Sequence, residues 1–118
     1  MSGVERRRGV VVHIDEAGEV KQKAVLVNVS NLLEDLPDGS DVEIVAHGPG
    51  IDICLGDSPT ADLVQALLAQ RVVVAACGNT LARRAIDRGR VAPGVTIVPS
   101  GVGELVRKQW EGWAYLRP

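Results

Sequence analysis

The sequence predicts an α/β fold in which helices cover both faces of a five-stranded, mainly parallel sheet. Short aliphatic runs alternate along the chain with segments of helical spacing, and the connections between them are short. The chain has 118 residues, of which 46% are hydrophobic and 24% charged. This composition supports a folded aliphatic core and excludes intrinsic disorder. We therefore expect one domain over residues 1–118, with residues 1–7 as a flexible N-terminal tail.

The first three elements are predicted from aliphatic runs and spacing. Gly9–Ile14 is a nearly unbroken aliphatic run, typical of a strand buried on both faces. Gly18–Leu36 shows both strand-like alternation of valines and helical spacing, and its length favours a helix. Turn residues then lead to a second strand at Val42–His47.

The middle of the chain holds one ambiguous segment, a helix and a strand. Ile51–Leu55 fits either a short extended segment or an irregular connection. Ser58 followed by proline predicts the start of a second helix, because a serine N-cap and a proline at the first helical position are favoured there. That helix is predicted to run to about Gln70, and Arg71–Ala76 is predicted to be a third buried strand.

The last third of the chain predicts two more helices and two strands. A helix after the third strand carries Leu81, Ala85 and Ile86 inward and is stopped by Gly89. Val95–Val98 forms the fourth strand. A final helix has an apolar stripe, and the stretch from Trp113 to Leu116 closes the sheet; the stripe residues are Val102, Leu105, Val106, Gln109 and Trp110.

Charge and hydropathy exclude two classes of partner. Thirteen basic and fifteen acidic residues give a net charge of -2, too balanced for a nucleic-acid surface or an anionic membrane. The run Arg6–Arg8 is interpreted as a solvated tail. The sequence contains neither a membrane-spanning apolar run nor a signal-peptide pattern, so we expect a cytoplasmic protein.

Candidate functional residues gather where the predicted strands end. In a parallel α/β sheet, ligands bind beyond the carboxyl ends of the strands, where helix N-termini also point. The sequence places glycines and polar side chains at these ends, whereas the strand bodies are aliphatic. The candidates are His13, Asp15, His47, Gly48, Gly50, Cys77, Gly78, Asn79, Ser100 and Gly101.

Cys77 is the strongest of these candidates. It lies between a buried strand and a predicted helix start, where free backbone N–H groups favour the thiolate over the thiol. Gly78 would allow a sharp turn and the approach of a ligand, and Asn79 is a natural N-cap. A thiolate at this point could act as a nucleophile or a sulfur carrier. The alternative is that Cys77 is a small apolar residue packed at the strand end.

The other titratable candidates carry weaker signals. Cys54 stands between two aliphatic residues and is interpreted as part of the core. His47 could orient or deprotonate a thiol, or could be a hydrogen-bonded structural residue. Cys-His-Asp hydrolysis with His13 and Asp15 is a further possibility, but spacing alone does not bring those side chains together. The cysteines match neither a redox pair nor a zinc site, so we expect no metal and no cofactor.

Two glycine-containing loops resemble anion-binding loops in composition. Gly48 and Gly50 flank a proline after the second strand, and Ser100 and Gly101 precede the last helix. Neither loop is a P-loop, and no dinucleotide-binding fingerprint follows the first strand, so nucleotide binding is disfavoured. Ser100 either holds a small anion or simply caps the helix.

The aromatic residues are confined to one segment. The chain has no phenylalanine, two tryptophans and one tyrosine. Trp110 lies on the apolar stripe of the last helix, where it could pack inward or meet a partner, and Trp113 and Tyr115 share one face of the closing strand. We expect at least one tryptophan to lie at a subunit contact.

Four stretches of the chain together resemble the DsrE-like family. They are Asn28–Leu33 in the first predicted helix, Val42–Ile51, Val74–Leu81 reading VAACGNTL, and Gln109–Pro118. No single stretch is highly specific, but their order and spacing are, and the resemblance runs from the first strand to the last residue. The chain resembles most closely the small stand-alone members of the family.

The resemblance implies a three-layer α/β/α sandwich that assembles into trimers or hexamers. In some relatives of the sulfur-relay and sulfur-oxidation systems, a cysteine after the third strand carries a persulfide, and Cys77 matches that position. The leading hypothesis is therefore a sulfur-handling protein that exchanges sulfur with donor and acceptor proteins through Cys77. The alternative is a non-catalytic oligomeric module that binds an anion or small molecule. No role in binding nucleic acid or membranes is expected.

Overall fold

The sheet consists of five parallel strands. A computed structural model describes residues 8–118, so the tail predicted at residues 1–7 lies outside the described part of the chain. The strand order is β4-β3-β2-β1-β5, and every neighbouring pair is parallel. The strands are β1 (Gly9–Ile14), β2 (Asp41–Ala46), β3 (Val73–Cys77), β4 (Thr96–Val98) and β5 (Ala114–Leu116). The predicted α/β fold with a parallel sheet is confirmed.

Helices cover both faces of this sheet, as predicted. α1 and α2 contact each other on one face, whereas α4 contacts β1, β2, β3 and β5 on the other. The helices are α1 (Glu19–Asp35), α2 (Ala61–Ala69), α3 (Gly78–Arg83) and α4 (Gly101–Trp110), and 3₁₀ helices span Gly48–Cys54 and Arg88–Arg90. The result is a three-layer α/β/α arrangement.

The strand order explains why α4 alone lies on its face. From β1 to β4 each strand is added on the same side of the previous one, but β5 returns to the opposite side of β1. Crossovers between parallel strands are right-handed, so a connection that moves in the opposite direction must pass over the opposite face. The helices that follow the neighbouring strands β3 and β4 therefore lie on opposite faces, and the carboxyl ends of these two strands form the switch point of the sheet.

The core is aliphatic on both sides of the sheet. Beneath α1, the buried side chains include Val12, Ile14, Val25, Leu26 and Val29. The spacing of the last three places them on one face of α1, which resolves Gly18–Leu36 as a helix. Beneath α4 a smaller cluster contains Val11, Val45, Ala75 and Leu105.

α2 ends at Ala69, close to the predicted Gln70, whereas α3 ends earlier than predicted, and both helices end in the same motif. After α2, Arg71 adopts a φ of 69°, and after α3, Ala85 adopts a φ of 52°. The backbone N–H groups of Val72 and Ile86 then donate to the carbonyls of Leu67 and Leu81. These bonds are the six-to-one bonds of a Schellman motif, which usually carries glycine at the left-handed position. The predictions that Arg71 begins β3 and that α3 continues to Gly89 are therefore wrong.

Two further expectations before α2 are corrected. The second helix begins at Ala61 rather than beside Ser58, because Ser58 Oγ accepts the Thr60 N–H and forms a turn ahead of the helix. Ile51–Leu55 is neither extended nor irregular. Most of it belongs to the 3₁₀ helix over Gly48–Cys54, which buries Ile51, Ile53 and Cys54.

The predicted apolar stripe of α4 divides between the sheet and the surface. Leu105 is buried against the sheet. Val102, Val106 and Trp110, at i, i+4 and i+8, are exposed, with 82% of Trp110 accessible. Of the two alternatives for Trp110, inward packing does not occur, because α4 approaches the sheet through Gly101 and Leu105 instead.

One acidic side chain lies inside the layer between β2 and α4. Glu43 is only 4% exposed, and Lys108 Nζ lies 3.8 Å from its Oε1. Burial, followed by the neighbouring Glu104 carboxyl, raises the pKa of Glu43 to about 8. Two carboxyl groups can hydrogen-bond to each other only when one of them is protonated. The raised pKa places that proton on Glu43, whose Oε2 has no other hydrogen-bond partner among the described residues.

The raised pKa of Glu43 predicts a stability that falls as pH rises. Between the ordinary pKa of about 4.5 and the folded-state pKa of about 8, the unfolded chain has lost this proton while the folded chain still holds it, so the free energy of unfolding should decrease across that window. Glu43→Gln keeps an N–H donor but does not titrate, and should remove roughly 1–3 kcal/mol of this decrease in urea unfolding. The exposed Glu34→Gln is the matched control and should leave it intact. An unchanged pH dependence in Glu43→Gln would contradict the assignment.

Candidate functional site

Polar side chains from all five strands meet at one edge of the sheet. Because every strand is parallel, the carboxyl ends lie together, as expected for the ligand-facing side of such a fold. We call this side the carboxyl edge. Its residues at or after the strand ends are Asp15, His47, Cys77, Ser100 and Arg117.

Cys77 lies between the N-terminal ends of two helices. It is the last residue of β3 and also the N-cap of α3, where its Sγ accepts the Thr80 backbone N–H at 3.4 Å. The first residue of α4, Gly101, approaches from the other side, so that a Cβ added there would lie 3.5 Å from the Sγ. Only 5% of Cys77 is exposed. The thiol is thus enclosed by backbone N–H groups.

Hydrogen bonds outweigh burial in setting the acidity of this thiol. Burial alone would raise the pKa of Cys77, but the Thr80 hydroxyl and the backbone N–H groups of Gly101 and Thr80 donate to the sulfur, and the pKa lies below its ordinary value. Thr80 Oγ1 accepts the Gly48 N–H at 2.9 Å, which leaves the hydroxyl proton for Cys77. Sequence reasoning missed Thr80. The available signal was its position three residues after the N-cap.

Cys54 provides an internal comparison with Cys77. It ends the first 3₁₀ helix, is completely buried, and packs among aliphatic side chains. Burial raises its pKa to about 12. The packing agrees with the interpretation of Cys54 as part of the core. The two thiols therefore differ in depth of burial and in their hydrogen-bond donors, which Cys77 has around its sulfur.

The glycines after β2 serve the packing of the chain. Gly48 has a φ of 53°, which glycine adopts without strain. A Cβ on Gly50 would overlap the backbone carbonyl of Ile14, so no larger residue fits there. The Gly50 N–H donates to the His47 carbonyl, and the Gly48 N–H donates to Thr80. Both N–H groups therefore already have partners within the chain.

Gly78 packs closely against β4, and Asn79 is not the N-cap that the sequence predicts. A Cβ on Gly78 would lie 2.9 Å from the Val98 carbonyl oxygen, so the glycine allows β4 to approach closely. Asn79 is the second residue of α3 rather than its N-cap, because Cys77 occupies the capping position. Its backbone N–H donates to the Pro99 carbonyl at 3.2 Å.

Ser100 and Gly101 form the start of α4. Ser100 is its N-cap, and its Oγ accepts the Gly103 N–H at 3.1 Å, which corresponds to the simple helix cap considered above. Gly101 fits between two side chains of the carboxyl edge: an added Cβ would lie 3.0 Å from His47 Cβ and 3.1 Å from Cys77 Cβ. Its small size therefore brings α4 against both residues.

The two histidines contact each other. His13 Nε2 lies 2.6 Å from His47 Nε2, and the rings stack with centroids 4.7 Å apart. Burial, followed by the neighbouring His47, lowers the pKa of His13. His47 directs its Nε2 toward His13, while the side-chain hydrogen bond to Cys77 comes from Thr80. This geometry does not favour Cys-His-Asp hydrolysis.

A cleft opens beside Thr80. It has a volume of about 260 Å³, and its lining includes Gly48, Thr80, Arg83 and Arg84. Both arginines are exposed, and Arg84 Nη1 lies 3.4 Å from Asp52 Oδ1. Thr80 connects this cleft to Cys77, because it lines the cleft and its backbone N–H donates a hydrogen bond to the Cys77 sulfur.

The two tryptophans occupy different environments. Trp113 lies over Gly9, where a Cβ would overlap the indole, and Lys108 Nζ lies 4.5 Å from the centroid of its ring. Trp110 projects from α4 into solvent. Within residues 8–118, no helix has both the length and the apolar character needed to cross a bilayer.

The fold and the site together define a small parallel α/β protein with one cysteine held among N–H donors at the carboxyl edge. The chain belongs to the DsrE/DsrF-like family, whose model matches residues 12–118. This confirms the resemblance found in the sequence. Proteins of the DsrE family work in sulfur relay, which suggests a related role for this chain.

Two solved structures are similar to the chain along nearly all of its length. A protein of unknown function, MTH1491 from Methanobacterium thermoautotrophicum, is 41% identical with a TM-score of 0.90; the alignment covers 94% of this chain and 99% of that one. The ychN protein from E. coli is 19% identical with a TM-score of 0.76, covering 97% and 100% respectively, which shows the fold. No curated protein matches the chain significantly.

The environment of Cys77 predicts selective reactivity. A small alkylating reagent at neutral pH should modify Cys77 and leave Cys54 unmodified until the chain unfolds, as read by peptide mass spectrometry.

Thr80→Val, which removes the hydroxyl, should raise the pKa of Cys77 and slow its alkylation about fivefold, the effect of losing a bond of ~1 kcal/mol. Thr80→Ser keeps the hydroxyl, and Thr96→Val changes an exposed threonine of β4. Both controls should react like the wild type, and equal rates for all four proteins would contradict the role of Thr80.

Proposed function

We propose that the protein carries sulfane sulfur on Cys77, accepting it from a donor persulfide and passing it to an acceptor thiol. The observation that supports this function is the lowered pKa of a cysteine enclosed by N–H and hydroxyl donors at the carboxyl edge. Membership of a family that works in sulfur relay agrees with it. The cysteine after β3 is also the position at which the family resemblance implies a persulfide.

The loading step is a thiol exchange that needs no oxidant. The Cys77 thiolate attacks the outer sulfur of a donor persulfide, R–S–SH, so that a bond forms between Sγ and that sulfur. The donor S–S bond breaks, and its electron pair leaves with the donor as R–S⁻. The proton stays on the transferred sulfur. The product is a Cys77 persulfide, and the total charge is unchanged.

The release step uses the same donors. An acceptor thiolate attacks the outer sulfur of the Cys77 persulfide, and Cys77 leaves as a thiolate. The Thr80 hydroxyl and the N–H groups of Thr80 and Gly101 stabilise that leaving thiolate, just as they stabilise the attacking one. A thiol of lowered pKa is a better leaving group, so these hydrogen bonds favour a carrier that exchanges sulfur in both directions.

The remaining candidate residues support this chemistry by shaping the site. Gly78 and Gly101 allow β4 and α4 to approach Cys77, and Gly48 donates to the Thr80 hydroxyl. Ser100 caps the helix whose first N–H faces the sulfur. The other supporting residues, His47, Gly50 and Asn79, hold the neighbouring backbone.

The alternative function is that of an oligomeric module that binds an anion or a small molecule without chemistry at Cys77. The cleft lined by Gly48, Thr80, Arg83 and Arg84 favours it, because Arg83 offers a guanidinium group at the surface for an anionic ligand. In this alternative Cys77 takes no part in sulfur transfer. A test of sulfur loading therefore separates the two functions.

Sulfur loading is tested by intact mass after incubation with a persulfide donor. The wild type and Cys54→Ala should gain one sulfur atom that a reductant removes, and Cys77→Ser should gain none. Transfer to an acceptor thiol should then return the wild type to its original mass. An absent adduct on a folded wild type, or an adduct that remains in Cys77→Ser, would favour the binding module instead.

We also propose that the protein forms a homo-oligomer, a trimer or hexamer, through the exposed apolar stripe of α4. Val102, Val106 and Trp110 lie on one side of that helix and are all exposed in the single chain. Exposed aromatic residues beside aliphatic ones are typical of the centre of a subunit interface. Trp113 packs over Gly9 within its own chain, so Trp110 is the tryptophan assigned to the contact between subunits.

Sedimentation of two matched variants tests this contact. Trp110→Glu places a charge in the stripe and should shift the protein to monomers at concentrations where the wild type assembles. Val20→Glu changes an equally exposed side chain on α1, on the opposite face of the sheet, and should assemble like the wild type. If Trp110→Glu is folded and keeps the wild-type mass, the stripe is not the interface.

A further inference from the structure

We propose that His13, His47 and Asp15 form a binding site for one divalent transition-metal ion of the zinc type. The spacing of these residues along the sequence does not predict the site, because they come from the ends of two different strands. His13 belongs to β1, Asp15 follows it, and His47 follows β2. The site is distinct from the thiol of Cys77, and it does not rest on the proposed sulfur chemistry.

Three donor atoms converge at this point. His13 Nε2 lies 2.6 Å from His47 Nε2 and 3.8 Å from Asp15 Oδ2. One ligand atom from each of the three residues lies within 4.8 Å of the others. Zinc binds histidine nitrogen and carboxylate oxygen at about 2.0–2.2 Å, which separates neighbouring ligand atoms by about 3 Å. Small side-chain rotations that part the imidazole nitrogens and bring in the carboxylate would produce this spacing.

The outer atoms of two of these ligands are already occupied. His13 Nδ1 lies 2.6 Å from the Tyr115 hydroxyl, and Asp15 Oδ1 accepts a hydrogen bond from Arg117 at 2.9 Å. Metal-binding histidines and carboxylates characteristically have such partners, which fix the tautomer and the orientation of the ligand. Because these contacts use the far atoms, His13 Nε2 and Asp15 Oδ2 are left facing the centre of the cluster.

The position of the cluster in the fold is a second, independent observation. Tyr115 and Arg117 come from the segment of β5, which lies beside β1 on the side opposite to β2. The cluster therefore lies at the carboxyl edge, at the end of the sheet where β5 pairs with β1. In open α/β sheets, ligands bind beyond the carboxyl ends of the strands.

The donor set indicates the class of ion. Two imidazoles and one carboxylate suit zinc and its neighbours in the first transition series, whereas calcium and magnesium prefer oxygen ligands alone. Three protein ligands also leave a coordination position for water or a small anion. His13 and His47 are the two histidines of this sequence, and both belong to the cluster.

Metal titration of an untagged protein tests the site. After treatment with a chelator, the wild type should bind one Zn²⁺ per chain in equilibrium dialysis, and Co²⁺ should give the visible absorption of a protein-ligated ion. His13→Ala and His47→Ala should each weaken zinc binding by at least a hundredfold. Tyr115→Phe keeps all three ligands but loses the partner of His13, and should weaken binding about 10–100-fold.

Two controls keep this result separate from sulfur transfer and from misfolding. Cys77→Ser should bind zinc like the wild type although it accepts no sulfur, so failure of either proposal leaves the other standing. Zinc should raise the thermal midpoint of the wild type and of Cys77→Ser but not of His47→Ala. The proposal is overturned if the folded wild type binds no stoichiometric zinc, if binding survives both histidine substitutions, or if it is lost in Cys77→Ser.

Discussion

The parallel direction of all five strands is the constraint on which the rest of the structure depends. It brings the carboxyl ends of the strands to one edge, where Cys77, the two histidines and Asp15 lie. The direction of β5 matters most. If that strand ran antiparallel, its C-terminal end would lie at the opposite edge of the sheet. Tyr115 and Arg117 could not then contact His13 and Asp15, and only part of the cluster would remain.

Hydrogen-bond donors around the sulfur, together with the depth of burial, distinguish the two cysteines. Both are buried, yet the pKa of Cys54 is raised and that of Cys77 is lowered. Burial disfavours the charge in each case, more strongly for the deeper Cys54, and the hydrogen bonds offered by Thr80 and Gly101 lower the pKa of Cys77 against it. Those donors are available because Cys77 ends a strand at the beginning of one helix while a second helix begins beside it. Cys54, at the end of a 3₁₀ helix, lies among aliphatic side chains.

The strand ends could be predicted from sequence, but the contacts between distant strands could not. Aliphatic runs and turn residues were sufficient to place Cys77, His47 and Ser100 at one edge, because only local patterns and the parallel rule were needed. The contact of His13 with Tyr115 depends on β5 returning beside β1, which no local pattern records. The burial of Glu43 and the left-handed conformations of Arg71 and Ala85 are likewise imposed by tertiary packing, against the usual preferences of those residues.

Gly101 connects the two candidate sites without merging them. Its missing side chain brings α4 against Cys77 on one side and His47 on the other, so any larger residue there would disturb both. The functional atoms nevertheless face different partners. Cys77 Sγ is held by donors from α3 and α4, whereas His47 Nε2 points to His13 on β1. Changes at Thr80 should therefore act on the thiol and changes at Tyr115 on the histidine cluster, because each touches only one side of this shared glycine.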